Sequence, residues 1–267
     1  MTATPRSAIS PRDLREERDR PLAVAHRGTV GYLDAWDLQR RLVAQRQAGA
    51  GRDVLLLLEH PPVYTLGKRT DRTHLLFDAG QRAAHGIELV EVDRGGDITY
   101  HGPGQLVGYP VLKLSSIRGV VDYVRTLEGL LIEALADLGV DASRSDGYTG
   151  VWVGNQKIAA IGVRVASGGV TSHGFALNVD PDLSHFAGIV PCGIADRGVC
   201  SLASLGVGAS MQDTIGAIER AGAASFGATL EAIDAADLDP ATATHSNQIE
   251  REAATHDDPS PHRWSHT

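Results

Sequence analysis

Between residues 150 and 179 the chain reads GVWVGNQKIAAIGVRVASGGVTSHGFALNV. Two strand-like runs meet at Gly154-Asn155, and a third, VTSHGFALNV, follows at once. Gly-Asn is a hairpin turn pair, so the first two runs must return on each other as antiparallel neighbours. The other demanding segment is GVVDYVRTLEGLLIEALADLGV, residues 119–140. Its Val120, Val124, Leu127, Leu131, Leu135 and Leu138 fall on one helical stripe, and Gly139 closes it. A chain holding both a hairpin series and a long amphipathic helix is neither a helix bundle nor a strict βαβ repeat. The expected class is α+β, a mixed, largely antiparallel sheet flanked by helices.

Shorter signals fill the frame. YLDAWDLQRRLVAQRQAG predicts a helix with Leu33, Trp36, Leu38 and Leu42 inward and a glycine at its end. DVLLLLEH, stopped by Pro61-Pro62, predicts a buried strand, and GIELVEVD an alternating one. QLVGYPVLKL is extended, with Pro110 predicting an edge position or a bulge. A last, Ala- and Gly-rich helix is expected near 210–228. The polar ends bury almost nothing, so residues 1–20 and 234–267 are expected to be disordered tails around a folded domain at 21–233.

Charge and cysteine usage exclude several classes. The net charge is −8, with an acidic C-terminal stretch of seven acids against two Arg in 234–267. A general nucleic-acid binder would show a basic surplus instead. No apolar run reaches the length of a membrane span, and the first residues carry no apolar leader core. Two cysteines without an export signal point to free thiols in a reducing cytoplasm. The histidines form no metal-ligand spacing, so no metal is expected; His101 and His173 are expected at a site mouth, making single hydrogen bonds.

Three stretches can carry chemistry. In GIVPCGI, Cys192 sits between Pro191, which fixes φ, and Gly193, which has no side chain; such a setting suits a thiol that must be reached. Cys200, in GVCSLASLG, reads as a packing thiol. In GNQKIAAIG, Lys157 shares a strand face with Ala159, Ile161 and Val163, so its ammonium either snorkels to water or serves a nearby group. An ammonium beside a thiol lowers the thiol's pKa and makes a thiolate at neutral pH. Separation along the chain does not by itself join residue 157 to residue 192. In DRGGDITYHGPGQL, glycines flank a short strand with Arg94 and His101 on either side; the pattern is neither a Walker loop nor a dinucleotide fingerprint. It reads either as a pair of tight turns or as a site wall.

Taken together and in order, RGGDITYHGPGQL, GNQKIAAIGVRV…SHGFALNV and GIVPCGI resemble the signature of the lipoyl(octanoyl) transferases, and EHPPVYTLG at 59–67 is similar to that family as well. The resemblance covers roughly 22–230. It implies a fold like the catalytic domain of biotin and lipoate protein ligases, and it implies no cofactor. It implies octanoyl-acyl carrier protein as donor, and as acceptor a lipoyl domain of a 2-oxoacid dehydrogenase or of the glycine-cleavage H protein. The family's acyl-accepting cysteine falls on Cys192 and its thiol-activating lysine on Lys157. Its acyl-binding segments fall on Arg94, Gly95, Gly96, Asp97, Ile98, Thr99, Tyr100 and His101, on Ala160, Ile161 and Gly162, and on Gly174, Phe175 and Ala176. Gly162 and Gly174 are expected to leave an acyl slot open.

The competing readings are an ATP-using ligase, an amidotransferase, a carrier-binding module, and a cysteine hydrolase with His101 or His173 as base. Because this domain and acyl carrier proteins are both acidic, docking would need a local basic patch. Lys68, Arg69, Arg72, Arg82 and Arg94 are the candidates.

Overall fold

A computed structural model of the protein describes residues 14–17, 19–115, 119–190 and 197–238. The strands are β1 (Leu22–Thr29), β2 (Val54–Glu59), β3 (Val63–Leu66), β4 (Glu88–Glu91), β5 (Ile98–His101), β6 (Gln105–Val111), β7 (Ser143–Ser145), β8 (Tyr148–Val153), β9 (Gln156–Val165), β10 (Thr171–Asn178), β11 (Gly198–Val199) and β12 (Leu230–Ala232). The helices are α1 (Tyr32–Gln47), α2 (Ala79–Ala84), α3 (Val120–Asp137) and α4 (Met211–Phe226).

Among the described residues the main sheet runs β12-β1-β2-β6-β10-β9-β8-β7, with β11 added beside β9. Pairing is parallel at β12-β1-β2 and between β11 and β9, and antiparallel elsewhere, so the expected mixed, largely antiparallel sheet is present. A second, three-stranded sheet, β4-β3-β5, carries the glycine-flanked strand. The Gly154-Asn155 turn joins β8 to β9 as predicted, with Gly154 at φ 57.

The core lies between the main sheet and α3 and α4. Leu127, Leu131 and Leu135 of the predicted stripe are buried there with Tyr123, Leu130 and Ala134. Val120 is exposed instead, because it sits in the first turn of α3. The inner face of α1 is also rotated from expectation: Tyr32, Ala35, Leu38, Gln39, Leu42, Val43 and Arg46 are buried, and Leu33 is exposed.

Strand β6 is central and fully buried, so Pro110 does not mark an edge. The sheet tolerates the missing N–H because the β6–β10 ladder is interrupted at this point. Continuing the pairing of Phe175 with Gly108 sets His173 opposite Pro110, and the His173 N–H is donated to the Gln39 side chain rather than across the sheet. Thr171 spans the gap, its hydroxyl donating to the Pro110 carbonyl at 2.7 Å and accepting from the Leu112 N–H at 2.9 Å.

Residues 14–17 fall in the stretch expected to be a tail, yet they pack. Arg15 is buried, with Nε 2.7 Å from Asp53 Oδ2, and Arg46 reaches the other oxygen of the same carboxylate at 3.1 Å. Leu14 accepts a backbone bond from Ser115, and Glu16 donates one to Lys113. A buried ion pair holds this segment where hydropathy shows nothing. The chain from Ile233 onward is a second unit; within residues 233–238 it forms one 3-10 turn, Ala235–Leu238.

Candidate active site

The strands that carry the three stretches converge. Gly95 donates its N–H to the Val163 carbonyl at 3.0 Å, which docks the 94–97 loop on the end of β9. Arg94 then lies buried beneath that loop, its Nη2 donating to the Thr65 carbonyl and hydroxyl at 2.7 and 2.8 Å. Glycines wrap this guanidinium because nothing larger fits: a Cβ at Gly67 would come 2.7 Å from Arg94 Nη1, and one at Gly162 3.0 Å from Arg94 Cδ.

The result is a pocket of ≈ 470 Å³, counting its open mouth. Arg94, Gly96, Asp97, Ile98, Thr99 and His101 line one side; Ala160, Ile161, Gly162, Gly174, Phe175 and Ala176 line the other. Most of the predicted acyl-binding positions are therefore brought together. Gly95 borders an adjoining cleft of ≈ 1090 Å³, which shares Gly96, Asp97, Ile161 and Gly162 with the pocket and also contains Lys157, Arg69 and Thr149.

Tyr100 is the exception. It is absent from the lining, since neighbouring residues of a strand face opposite ways. Its ring packs edge-on to Phe186, and its hydroxyl lies 2.8 Å from His185 Nδ1. Gly174 also acts differently from expectation. A Cβ there would come 2.1 Å from the Gly108 carbonyl oxygen, so its bareness admits strand β6, in addition to shaping the pocket wall.

The inner wall of the pocket is polar, and sequence reasoning missed most of it. Tyr32 and Tyr109 line it, and His60 sits behind. His60 Nδ1 donates to the Val30 carbonyl at 2.7 Å, which leaves Nε2 to accept from the Tyr109 hydroxyl at 2.7 Å. Burial pushes the His60 pKa down to about 4, partly opposed by the bond to Val30. Burial likewise holds His101 well below the usual histidine range, with His60 and Arg94 adding to the effect. Tyr32 is pushed up to about 12 by burial, partly offset by the Arg94 charge. The wall is thus a set of neutral rings around one cation. His101 and His173 are 7% and 1% exposed, so they belong to this buried wall and not to a mouth. His60 lies in EHPPVYTLG, where a signal existed; Tyr32 and Tyr109 carry none.

Lys157 is only 6% exposed, with Nζ 4.9 Å from the centre of the Trp152 ring. The β8–β9 register slips between Ala159 and Lys157, a bulge of the kind that re-aims a side chain. Cys192 lies outside the described residues. The chain before it ends on Val190, whose N–H donates to the His74 carbonyl at 2.8 Å, and His74 Nδ1 lies 2.5 Å from Asp97 of the shared wall. The chain after it returns as β11, with Val199 paired to Lys157. Cys200 is buried, and burial pushes its thiol up to about 11, which fits a packing role. Of the basic candidates, Lys68 and Arg69 are exposed, Arg72 is paired with Glu91, Arg82 donates to the Phe77 carbonyl, and Arg94 is buried and so is no surface cation.

A mixed sheet flanked by helices in this arrangement is the fold of lipoate protein ligase structures. A chain from a structural analysis of a bipartite lipoate protein ligase and its E2 lipoyl domain from Thermoplasma acidophilum superposes with a TM-score of 0.65 at 18% identity, covering 87% of this chain and 91% of that one. The chain belongs to the lipoyl protein ligase A/B catalytic domain family, whose description matches residues 31–222. Among curated relatives, it is 54% identical over 187 residues to an octanoyltransferase of Chloroflexus aggregans, covering 69% of this chain and 85% of the relative. It is also 54% identical over 206 residues to an octanoyltransferase of Gloeobacter violaceus, covering 76% and 90%.

Proposed function

We propose that this chain is an octanoyltransferase of protein lipoylation. It takes octanoyl from octanoyl-acyl carrier protein onto Cys192 and passes it to the lysine amine of a lipoyl domain, of the kind borne by 2-oxoacid dehydrogenases and the glycine-cleavage H protein. The observation that carries this reading is a pocket walled in part by Ala160, Ile161, Phe175 and Ala176 that shares residues with the cleft holding Lys157, in a chain whose curated relatives are octanoyltransferases. The anchors of the Cys192 segment support it further: Val190 bonds His74 beside the shared wall, and Val199 pairs with Lys157.

The steps balance without a nucleotide or a metal. The Cys192 thiolate attacks the octanoyl carbonyl, the bond to the carrier sulfur breaks, and the departing carrier thiolate takes a proton from the Lys157 ammonium, which leaves Lys157 neutral. One thioester has replaced another, so a good nucleophile matters more than a driving force. The ammonium of Lys157 favours the attacking thiolate. In the second step the acceptor amine forms the C–N bond, the C–S bond breaks, and Lys157 in its neutral form takes the amine proton. Thioester to amide runs downhill. Each methylene buried against Ala160, Ile161, Phe175 and Ala176 stabilises the bound acyl chain by about 0.8 kcal/mol. Both substrates are cytoplasmic proteins in this reading, which sets the enzyme there. Membrane attachment plays no part in it; among the described residues no helix is long and apolar enough to cross a membrane.

Intact-protein mass after mixing with octanoyl-acyl carrier protein tests the proposal. The expected result is one octanoyl on the wild type, none on Cys192→Ala, and passage of the group to a lysine when a lipoyl domain is added. Octanoyl-lysine formed by Cys192→Ala would refute the covalent route. Free octanoate without acyl-lysine would mark a hydrolase, and no mass change anywhere would refute the enzyme reading.

A further inference from the structure

Trp152 is the largest fully buried side chain among the described residues, yet it lies outside the main apolar core. Its neighbours Val151 and Val153 turn to that core, so the indole stands on the other side of β8. There it meets cations. Lys157 is its direct partner across the β8–β9 ladder, with Nζ 4.9 Å from the ring centre. The Arg197 guanidinium stands 5.1 Å from the same centre and 4.6 Å from that of Tyr148. The indole N–H is buried and has no hydrogen-bond partner among the described residues, so hydrogen bonding does not account for a tryptophan here. What the ring offers its neighbours is its negative face.

The surrounding chain delivers one lysine to that face. Ile158 and Ala159 both join the main core, which successive residues of a regular strand do not do. The ladder absorbs this by its register slip: Val151 pairs with Ala159 and Trp152 with Lys157, so two steps of β9 oppose one of β8. Lys157 is thereby set on the side of Trp152 instead of sharing a face with Ala159. Its stem runs past Gly150, at φ 117, where a Cβ would lie 3.4 Å from Lys157 Cε and 2.6 Å from the Ala159 carbonyl oxygen. The Gly150 N–H donates at 3.2 Å to Glu128 of α3, a buried carboxylate that Arg125 and Arg144 hold at 2.7 and 3.0 Å. A lysine stem is flexible, and a bulge, a bare glycine and a ring here restrict where its head can go.

We propose that Trp152 is the positioning residue for Lys157: its ring face holds the ammonium in the cleft while the thiol is loaded, and it acts on the reaction only through that lysine. This rests on the octanoyl-transfer reading, in which Lys157 is charged when the thiolate attacks and neutral when the acceptor amine arrives. The ring quadrupole attracts a cation, and a neutral amine brings no such charge. The hold is therefore strongest in the first step. It slackens once the proton has gone to the departing carrier sulfur, which lets the amine turn to the acceptor.

The test is a double-mutant cycle on Trp152→Leu and Lys157→Ala. It is read as the rate constant for alkylation of Cys192 by iodoacetamide at neutral pH, with octanoyl loading followed in parallel. With Lys157 present, Trp152→Leu is expected to slow alkylation about fivefold to thirtyfold, the range of a desolvated cation–π contact. In the Lys157→Ala background the same substitution is expected to change the rate by less than about twofold, because the lysine it would misplace is gone. Trp152→Phe keeps a smaller ring face; it should fall between wild type and Trp152→Leu, and it completes the cycle if the leucine variant does not fold. A tryptophan that only packs would give the same loss in both backgrounds; that result, or no loss in Trp152→Leu, overturns the proposal. Lys157→Ala alkylated as fast as the wild type defeats the ammonium–thiolate pair and this inference with it. A cycle that closes through Lys157 in a protein that never loads octanoyl refutes the transferase reading and leaves the positioning role standing.

Discussion

Replacing His60 with glutamine should remove a defined part of the protein's acid sensitivity. His60 is fully buried behind the pocket wall and keeps its ring neutral between Val30 and Tyr109. Its folded pKa is about 4, against 6.5 for the ordinary side chain. Between these values the unfolded chain binds a proton that the folded chain refuses. The stabilisation is therefore complete above about pH 6.5, shrinks as the pH falls, and is fully lost below about pH 4. The whole shift corresponds to about 3.4 kcal/mol, of which about 2 kcal/mol is gone at pH 5. Urea unfolding at about pH 7.5 and about pH 5 measures this as a difference of differences. Glutamine can still donate to Val30 and accept from Tyr109, so the variant isolates titration from lost hydrogen bonding. His60→Gln should lose about 2 kcal/mol less than the wild type over that interval. An equal loss in both proteins would show that His60 is either solvated or already charged when folded, and the picture of a neutral wall would fail with it.

Other outcomes follow from the same geometry. Lys157→Ala should fold normally and move the pH midpoint of Cys192 alkylation upward, each unit reporting about 1.4 kcal/mol of lost thiolate stabilisation; superimposable profiles would remove the ammonium from the thiol's environment. Alkylation of the native wild type at neutral pH should modify Cys192 and spare Cys200, whose thiol is pushed up to about 11, with the second adduct appearing only in urea. Cys200→Ala should retain acyl transfer, so loss of transfer would contradict its packing role. Reversing the exposed Lys68 to Glu should weaken reaction with the octanoyl carrier protein while sparing a small octanoyl thioester; Arg69 is left out because it lines the cleft that holds Lys157. Arg72 is left out because Glu91 already holds it, and equal losses on both substrates would show that Lys68 is no docking contact.

Much of the fold was legible because its signals are local. The Gly154-Asn155 turn, the apolar run of β2, and the capping of α4 by Ser210, whose hydroxyl accepts from the Asp213 N–H, act over a few residues. Misreadings arose where distant polar groups set the structure. The inner face of α1 includes Gln39 and Arg46, which a search for apolar periodicity assigns outward; they face inward because His173 and Asp53 need them there. Of the two places Pro110 suggests, an edge or a bulge, the edge fails, because the strand is central and the ladder opposite the proline is interrupted where His173 turns toward Gln39. The packing of residues 14–17 hinges on Asp53, buried among two arginines and a backbone N–H, and such a clasp leaves no periodic trace in the N-terminal sequence.

The site divides along the same line. Its glycine-flanked segments were readable as segments, since each is contiguous and each docks as a unit. Which side chains within them face the pocket was not readable, because that depends on sheet geometry. Tyr100 and His101 are neighbours in sequence, but one packs on Phe186 and the other lines the pocket. Lys157, Ala159, Ile161 and Val163 follow a strict alternation on paper. In the structure Lys157, Ile161 and Val163 border the cleft and Ala159 does not, although Ala159 and Val163 both belong to the main core, and the register slip lies between Lys157 and Ala159. A bulge inserts one residue without changing composition, so a hydropathy pattern is blind to it. The polar wall is harder still: Tyr32 comes from α1, Tyr109 from β6 and His173 from β10, and each looks ordinary until the three are brought together. Their meeting in one wall beside Arg94 and His101 is a tertiary fact, which no local pattern in the sequence carries.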